Sequence, residues 1–153
     1  MNVFEIIRWE NKEVFIKALD SVDINILTED KKNMLHVAIA HNPECATILL
    51  ERGINIDQQT RDGDTPLHYA ADLQKFDLAK KIIEKGCQIN LLDKHGNNPL
   101  WYAVFGAKGK YKLVDLLVKN GADPLSKNKA GRSPLDFAKQ IKDEELIKIL
   151  ESK

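Results

Sequence analysis

A chain of 153 residues, 43% hydrophobic and 30% charged, suits one folded domain and excludes a disordered polymer. Its 23 basic and 23 acidic residues cancel to a formal net charge of +0, which excludes a general binder of nucleic-acid backbone, since that needs a cationic excess. Two cysteines, Cys45 and Cys87, in no CxxC or Cys/His cluster, signal neither a disulfide framework nor a zinc site. No run approaches the roughly 18 apolar residues of a membrane span. The opening Met1-Asn2-Val3-Phe4-Glu5 lacks the basic region of an export signal, so the expected setting is reducing and cytoplasmic.

Residues 2–20 predict two short amphipathic helices, carrying Val3, Phe4, Ile6 and Ile7, then Val14, Phe15, Ala18 and Leu19. Trp9 is expected to cover the end of the core there. Next comes Asn33-Met34-Leu35-His36, whose slots recur as Thr65-Pro66-Leu67-His68, Asn98-Pro99-Leu100-Trp101 and Ser133-Pro134-Leu135-Asp136. The leucines at 35, 67, 100 and 135 step by 32, 33 and 35, and such a period means a stacked solenoid. Thr65, Asn98 and Ser133 are N-cap residues, and proline follows each at the first helical position, where a missing N–H costs nothing. Met34 replaces that proline, so the first of these turns is expected to be looser. A second helix in each unit carries Ile48-Leu49-Leu50, Ile82-Ile83 or Leu116-Leu117-Val118. Gly53, Gly86 and Gly121 then stop it, with Ser21 in the same slot earlier. Short extended arms follow, turned back at Gly63, Gly96 and Gly131, with Lys31 in that slot of the first copy. From the stop column to the next leucine the distance is always 14, whereas from leucine to the next glycine it is 18, 19 and 21. The turn is therefore fixed in length, and the changes fall in the link between the two helices. The chain closes on a charged helix pair ending in Leu146, Ile147, Ile149 and Leu150. Five units result, the outer two serving as caps.

These columns resemble the ankyrin repeat. Arg61-Asp62-Gly63-Asp64-Thr65-Pro66-Leu67-His68-Tyr69-Ala70-Ala71 is similar to that family's strongest motif, and Lys119-Asn120-Gly121-Ala122-Asp123-Pro124 to its closing segment. The resemblance implies an all-α ankyrin-repeat solenoid with β-turn fingers, forming a single domain over 1–153. Its N-cap would run to about residue 24, its repeats over about 25–56, 57–89 and 90–124, and its C-cap over about 125–153. It also implies binding of another protein through the fingers and the inner helices, by a chain monomeric before binding. The implied finger positions are Glu29, Asp30 and Lys32; Arg61, Asp62 and Asp64; Lys94, His95 and Asn97; and Lys129, Ala130 and Arg132. The implied inner-helix positions are Ala40 and His41, Asp72 and Leu73, and Phe105 and Gly106. The stretch from Pro99 to Phe105, with tryptophan in the histidine slot, also resembles small bacterial ankyrin proteins of the toxin-immunity type. The expectation is therefore a non-catalytic binder that sequesters a partner, such as a toxin domain or an enzyme. The alternative is an adaptor that recruits a cellular protein. No catalytic residue, metal ligand or cofactor is assigned.

Several residues invite sharper chemistry and are better explained by packing. His36 and His68 occupy the motif slot whose ring bonds a finger turn, as the resemblance implies, and no base–nucleophile pair is evident. Asp62-Gly63-Asp64 is similar to a fragment of a calcium loop but lacks its full spacing and terminal glutamate. Gly106-Ala107-Lys108-Gly109-Lys110 lacks the spacing of a phosphate loop and follows a predicted helix, so it is a lengthened link. Phe105 is either a partner anchor or packs back against Tyr111. The groove is expected to be acidic at its centre, through Asp62, Asp64 and Asp72, and basic towards Lys94, Lys129 and Arg132.

Overall fold

A computed structural model describes residues 1–152, which form ten helices in five consecutive pairs. The first pair is α1 (Val3–Trp9) with α2 (Lys12–Leu19), and the second α3 (Met34–His41) with α4 (Pro43–Glu51). Then follow α5 (Pro66–Asp72) with α6 (Phe76–Glu84), α7 (Pro99–Phe105) with α8 (Lys112–Lys119), and α9 (Pro134–Gln140) with α10 (Glu144–Glu151). Odd-numbered helices pack on one another along the chain to form one layer, and even-numbered helices form the second. The described residues contain no strand.

The layers meet over one continuous core. Leu35, Leu67 and Leu100 are fully enclosed, as are Leu49, Ile82 and Leu117 from the second layer. Helix α5 adds Ala70 and Ala71, both solvent-free, and such small residues let neighbouring helices approach closely. Each unit alone could not bury its apolar face, so stability arises from contact with the next unit. The link between paired helices is Asn42 alone in the second unit, residues 73–75 in the third and 106–111 in the fourth. The varying length sits where the repeat arithmetic puts it.

The caps follow the column rule. Asn33, Thr65, Asn98 and Ser133 each accept a backbone N–H of the helix they open. The turn at Met34 is not looser. Asn33 is fully buried, its Oδ1 accepts from the N–H groups of Leu35 and His36, and its Nδ2 donates to the Asn55 carbonyl at 2.8 Å. The capping amide thus also reaches the arm that follows α4, and Asn98, which does precede a proline, makes the same bond to the Asp123 carbonyl at 3.0 Å. Ser21 does not imitate the glycine stop either. Its backbone stays out of the left-handed region, and its N–H and Oγ both reach the Ala18 carbonyl at 3.2 Å. Trp9 covers nothing, being 75% exposed, because Val3, Ile7 and Phe15 already close that end of the core.

The fingers are tied tip to tip by main-chain bonds. Arg61 N–H donates to the Asp30 carbonyl at 2.9 Å, Lys94 N–H to Asp62 at 2.8 Å, and Lys129 N–H to His95 at 3.0 Å. One such rung per finger replaces the strand-like arms the alternation suggested. Gly63 turns its finger at φ +83°, and a Cβ there would stand 2.8 Å from the Asp93 Cα of the next finger. Lys31 fills the equivalent slot at φ 61°.

Candidate functional site in the groove beside the fingers

Two buried histidines hold the fingers at fixed height over the odd-numbered helices. The Asn33 N–H donates to His36 Nδ1 at 3.1 Å and the Thr65 N–H to His68 Nδ1 at 3.0 Å. This network assigns the proton to Nε2 in both rings. His36 Nε2–H then donates to the Asp64 carbonyl, and His68 Nε2–H to the Asn97 carbonyl, each at 2.9 Å. Burial drives both histidines down, His36 to about 4, so each is neutral near pH 7. With both nitrogens engaged, neither ring is available as a general base. The thiols are quiet as well, because burial pushes Cys45 and Cys87 up to about 11.

An acidic region runs from the gap between the first and second fingers to the surface of α5. One shallow pocket of about 240 Å³ is lined by Asp30, Lys32, Arg61, Asp62, Asp64 and Tyr69. Beside it, a second pocket of about 120 Å³ is lined by Asp64, His68, Tyr69, Asp72 and Tyr102. Asp64, common to both, is half-buried. That burial, then the charges of Asp93, Asp62 and Asp72, push its carboxyl up to about 6. Some neighbours are already engaged: Arg61 Nε donates to the Glu29 carbonyl at 2.7 Å, and Lys94 pairs with Asp62 at 3.2 Å.

Asp64, His68 and Asp93 bring potential metal-ligand atoms within 4.8 Å of one another. Their lone pairs are largely committed. Asp93 Oδ1 accepts from the His95 and Asn97 N–H groups, its Oδ2 accepts from the Tyr102 hydroxyl, and His68 Nε2 holds a proton. A cation would have to dismantle the finger, so this donor set does not fit a metal.

The other end of the groove is aromatic and cationic. Trp101 takes the histidine slot of α7, and its ring lies 5.7 Å from Phe137 on α9. Phe105, 60% exposed, lies 5.3 Å from the same ring. It does not pair with Tyr111, whose hydroxyl instead donates to Asp143 Oδ2 at 2.7 Å. The Arg132 guanidinium sits 5.9 Å from the centres of both Trp101 and Phe137. Its Nη2 is shielded from solvent and has no hydrogen-bond partner among the described residues. A donor left in that state costs on the order of 1–3 kcal/mol.

The expected site residues therefore fall into two clusters and some outliers. Asp30, Lys32, Arg61, Asp62, Asp64 and Asp72 line the acidic pockets. Phe105 and Arg132 belong to the aromatic end. Glu29, Lys129 and His95 stand exposed on the fingers, and His41 and Leu73 are exposed where α3 and α5 end. Asn97 is not a surface residue: it is 8% exposed and holds the finger together. Its Oδ1 accepts from Asn128 Nδ2 at 2.9 Å, its N–H donates to Asp93, and its carbonyl receives His68. Lys94 is exposed but leans back onto Asp62, which blunts the expected step from acidic to basic.

Four contributors escaped sequence reasoning: Tyr69, Tyr102, Phe137 and Asp93. The repeat period contains them. Tyr69, Tyr102 and Phe137 each follow the histidine slot of their copy, and each ring meets the slot residue of the copy before, namely His36, His68 and Trp101. Asp93 shares a column with Thr60 and Asn128, and all three accept the N–H four residues on.

The family described as "Ankyrin repeats (3 copies)" matches residues 6–93, 55–128 and 75–153. A probable serine/threonine-protein kinase of Dictyostelium discoideum is 36% identical over 140 residues, covering 87% of this chain and 16% of its own length. An ankyrin repeat and LEM domain-containing protein 1 homolog of Caenorhabditis elegans is 33% identical over 113 residues, covering 71% of this chain and 11% of its own. A putative ankyrin repeat protein of Acanthamoeba polyphaga mimivirus is 28% identical over 139 residues, covering 88% and 18%. The chain thus spans less than a fifth of each of these relatives. With family matches running from residue 6 to residue 153 over stacked helix pairs and joined fingers, this chain belongs to the ankyrin-repeat family and carries that family's protein–protein interaction module.

Proposed function

We propose that this domain is an adaptor, recruiting a cellular protein through the groove beside its fingers. The observation that carries this reading is the unsatisfied state of the groove on a rigid frame: the half-buried Asp64 and the 60% exposed Phe105 face outward from neighbouring repeats. Charges and aromatics held in place before contact give affinity at low ordering cost. The relatives come from an amoeba, a nematode and a giant virus, and they favour recruitment over inhibition of a bacterial toxin. In this reading the acidic pockets receive basic groups of the partner, while Lys129 and Arg132 face acidic ones. The domain works as a monomer before binding and needs no cofactor. A reducing compartment such as the cytoplasm suits its free thiols, Cys45 and Cys87.

The test is affinity capture from the native organism with the wild-type chain and with an Asp64→Asn/Phe105→Ala variant in parallel. A protein retained one-to-one by the wild type and lost with the variant supports recruitment through this groove. Equal retention by both would move the binding face elsewhere. With the captured partner, association should slow about tenfold from about 50 mM to about 500 mM salt, because steering between complementary charges is screened.

A further inference from the structure

We propose that Arg132, Trp101, Phe105 and Phe137 form a receptor for one kind of partner element: a carboxylate flanked by a large apolar side chain, as in an Asp or Glu next to Phe, Leu or Trp. The inference rests on the groove being the protein-binding face, and it names what the C-terminal end of that groove takes.

The argument begins with charge left over. Arg132 enters none of the three ion pairs among the described residues. Its Nη2 is shielded from solvent and has no hydrogen-bond partner, so an incoming carboxylate meets the remaining N–H groups of the guanidinium. The one acid next to its finger turn is already occupied. Asp136 Oδ2 accepts from the Ser133 N–H at 2.9 Å and from Lys127 Nζ at 3.1 Å, contacts that hold its carboxyl down near 2. By contrast Arg61, in the equivalent finger two repeats earlier, gives its Nε to the Glu29 carbonyl. Lys129 adds further positive charge to the Arg132 finger, and no carboxylate there answers it.

The guanidinium is also held in place. Cation–π contacts at 5.9 Å from the ring centres of Trp101 and Phe137 confine it, and the backbone beneath is anchored separately, since the Arg132 N–H donates to Asn128 Oδ1 at 3.1 Å. A planar fork oriented in advance suits a carboxylate better than a flexible ammonium would. Beside it, Phe105 offers an exposed ring braced against Phe137. Aromatic residues and arginine in one patch are the composition that dominates binding energy at interfaces. An apolar neighbour of the carboxylate would cover Phe105, exclude water, and so strengthen the ionic contact.

The test pans a displayed library of random peptides against the intact chain. Binding is then followed by the fluorescence of Trp101 in a Trp9→Phe variant, where it is the only tryptophan. The expected binders carry Asp or Glu within two residues of Phe, Leu or Trp. Replacing that acid by its amide should weaken binding to the otherwise wild-type chain at least about tenfold. Arg132→Gln should weaken it equally, and the two changes together should do little more than either alone. Arg132→Lys should recover only part of the loss. The peptide substitution is measured on the unaltered groove, so it decides the matter even if an Arg132 variant proves unstable. Binders that respond to Asp64→Asn and ignore their own acidic residue would overturn this inference and leave protein recognition by the groove intact. Failure to enrich any binder over a blank surface would overturn both.

Discussion

The two halves of this solenoid join their repeats by different means. At the joints from the second unit to the fourth a buried imidazole spans the gap, with His36 and His68 reaching the carbonyls of Asp64 and Asn97. In the C-terminal half Trp101 occupies the same slot and meets Phe137 ring to ring, while the fingers are tied by Asn128 to Asn97 and by the Lys129 rung. A ring contact persists along the whole column, edge-to-face at His36 and His68 and tilted at Trp101, but only the histidine-linked joints use a titratable group. Replacing histidine by tryptophan keeps the spacing, removes an internal hydrogen bond, and turns aromatic surface towards the groove. The acidic, tyrosine-lined pockets and the arginine–aromatic patch are the two outcomes.

The largest effect that tests this division is a cavity. Leu67, 1% exposed between repeats of the histidine-linked half, should cost ~2–5 kcal/mol as Leu67→Ala. Leu135→Ala, in the last repeat and already 8% exposed, should fall at the lower end of that range. Wild-type melting temperatures in both would break the column assignment.

Acid is the sharper probe. His36 is held at about 4 in the fold against 6.5 outside it, so the unfolded chain binds more protons between those values. The stability from keeping it neutral is complete above 6.5 and is lost as pH falls towards 4, roughly 3 kcal/mol in all. His68 acts in the same direction. Asp64 opposes them: its carboxyl, raised from 3.8 to about 6, contributes stability when protonated that is lost as pH rises through that interval. Asp64 is only half-buried, so the histidines outweigh it. Hydrogen exchange at pH 4.5 should show α3 to α6 losing protection before α8 to α10, and Asp64→Asn should steepen the acid loss. Uniform loss along the chain would erase the distinction between the halves.

The smallest effect lies at the boundary. Lys94 and Asp62 pair with more than half of each side chain in water, so Lys94→Ala should change stability by no more than about 0.5 kcal/mol. Its consequence would appear in binding, where Asp62 is released to a partner. A destabilisation well above 1 kcal/mol would mean the pair helps to hold the fingers together.

The fold was legible because its information is periodic. Four aligned leucines, four cap residues and a column of turn glycines locate the four helix pairs from α3 to α10, and a register error in one copy is corrected by the others. Features that depend on contacts distant in the chain were not legible. Asn33 looks like a weakened cap without its proline, yet its amide reaches the Asn55 carbonyl, as the Asn98 amide reaches Asp123, a contact no local pattern records. Trp9 looks like a lid because tryptophan is apolar, but Ile7 and Phe15 had already filled the space. In the groove, acidic Asp30, Asp62, Asp64 and Asp72 were found from finger and inner-helix positions. Asn97 failed because its finger folds inward on Asp93, a residue whose carboxylate replaces the threonine hydroxyl of the copy before. Phe105 was singled out by its size, whereas its partner Phe137 lies 32 positions away and emerges only when the copies are stacked.

The rungs between the fingers use peptide atoms alone, so the tips at 62, 95 and 129 can exchange side chains without loosening the chain. Sequence drift at those tips rewrites what is recognised and leaves the scaffold intact, which makes them the natural positions for retargeting the domain by randomisation. The freedom ends one residue later in the second finger. At Gly63 a single added carbon would strike the backbone of the adjoining finger, and a change there would alter the spacing of the array itself.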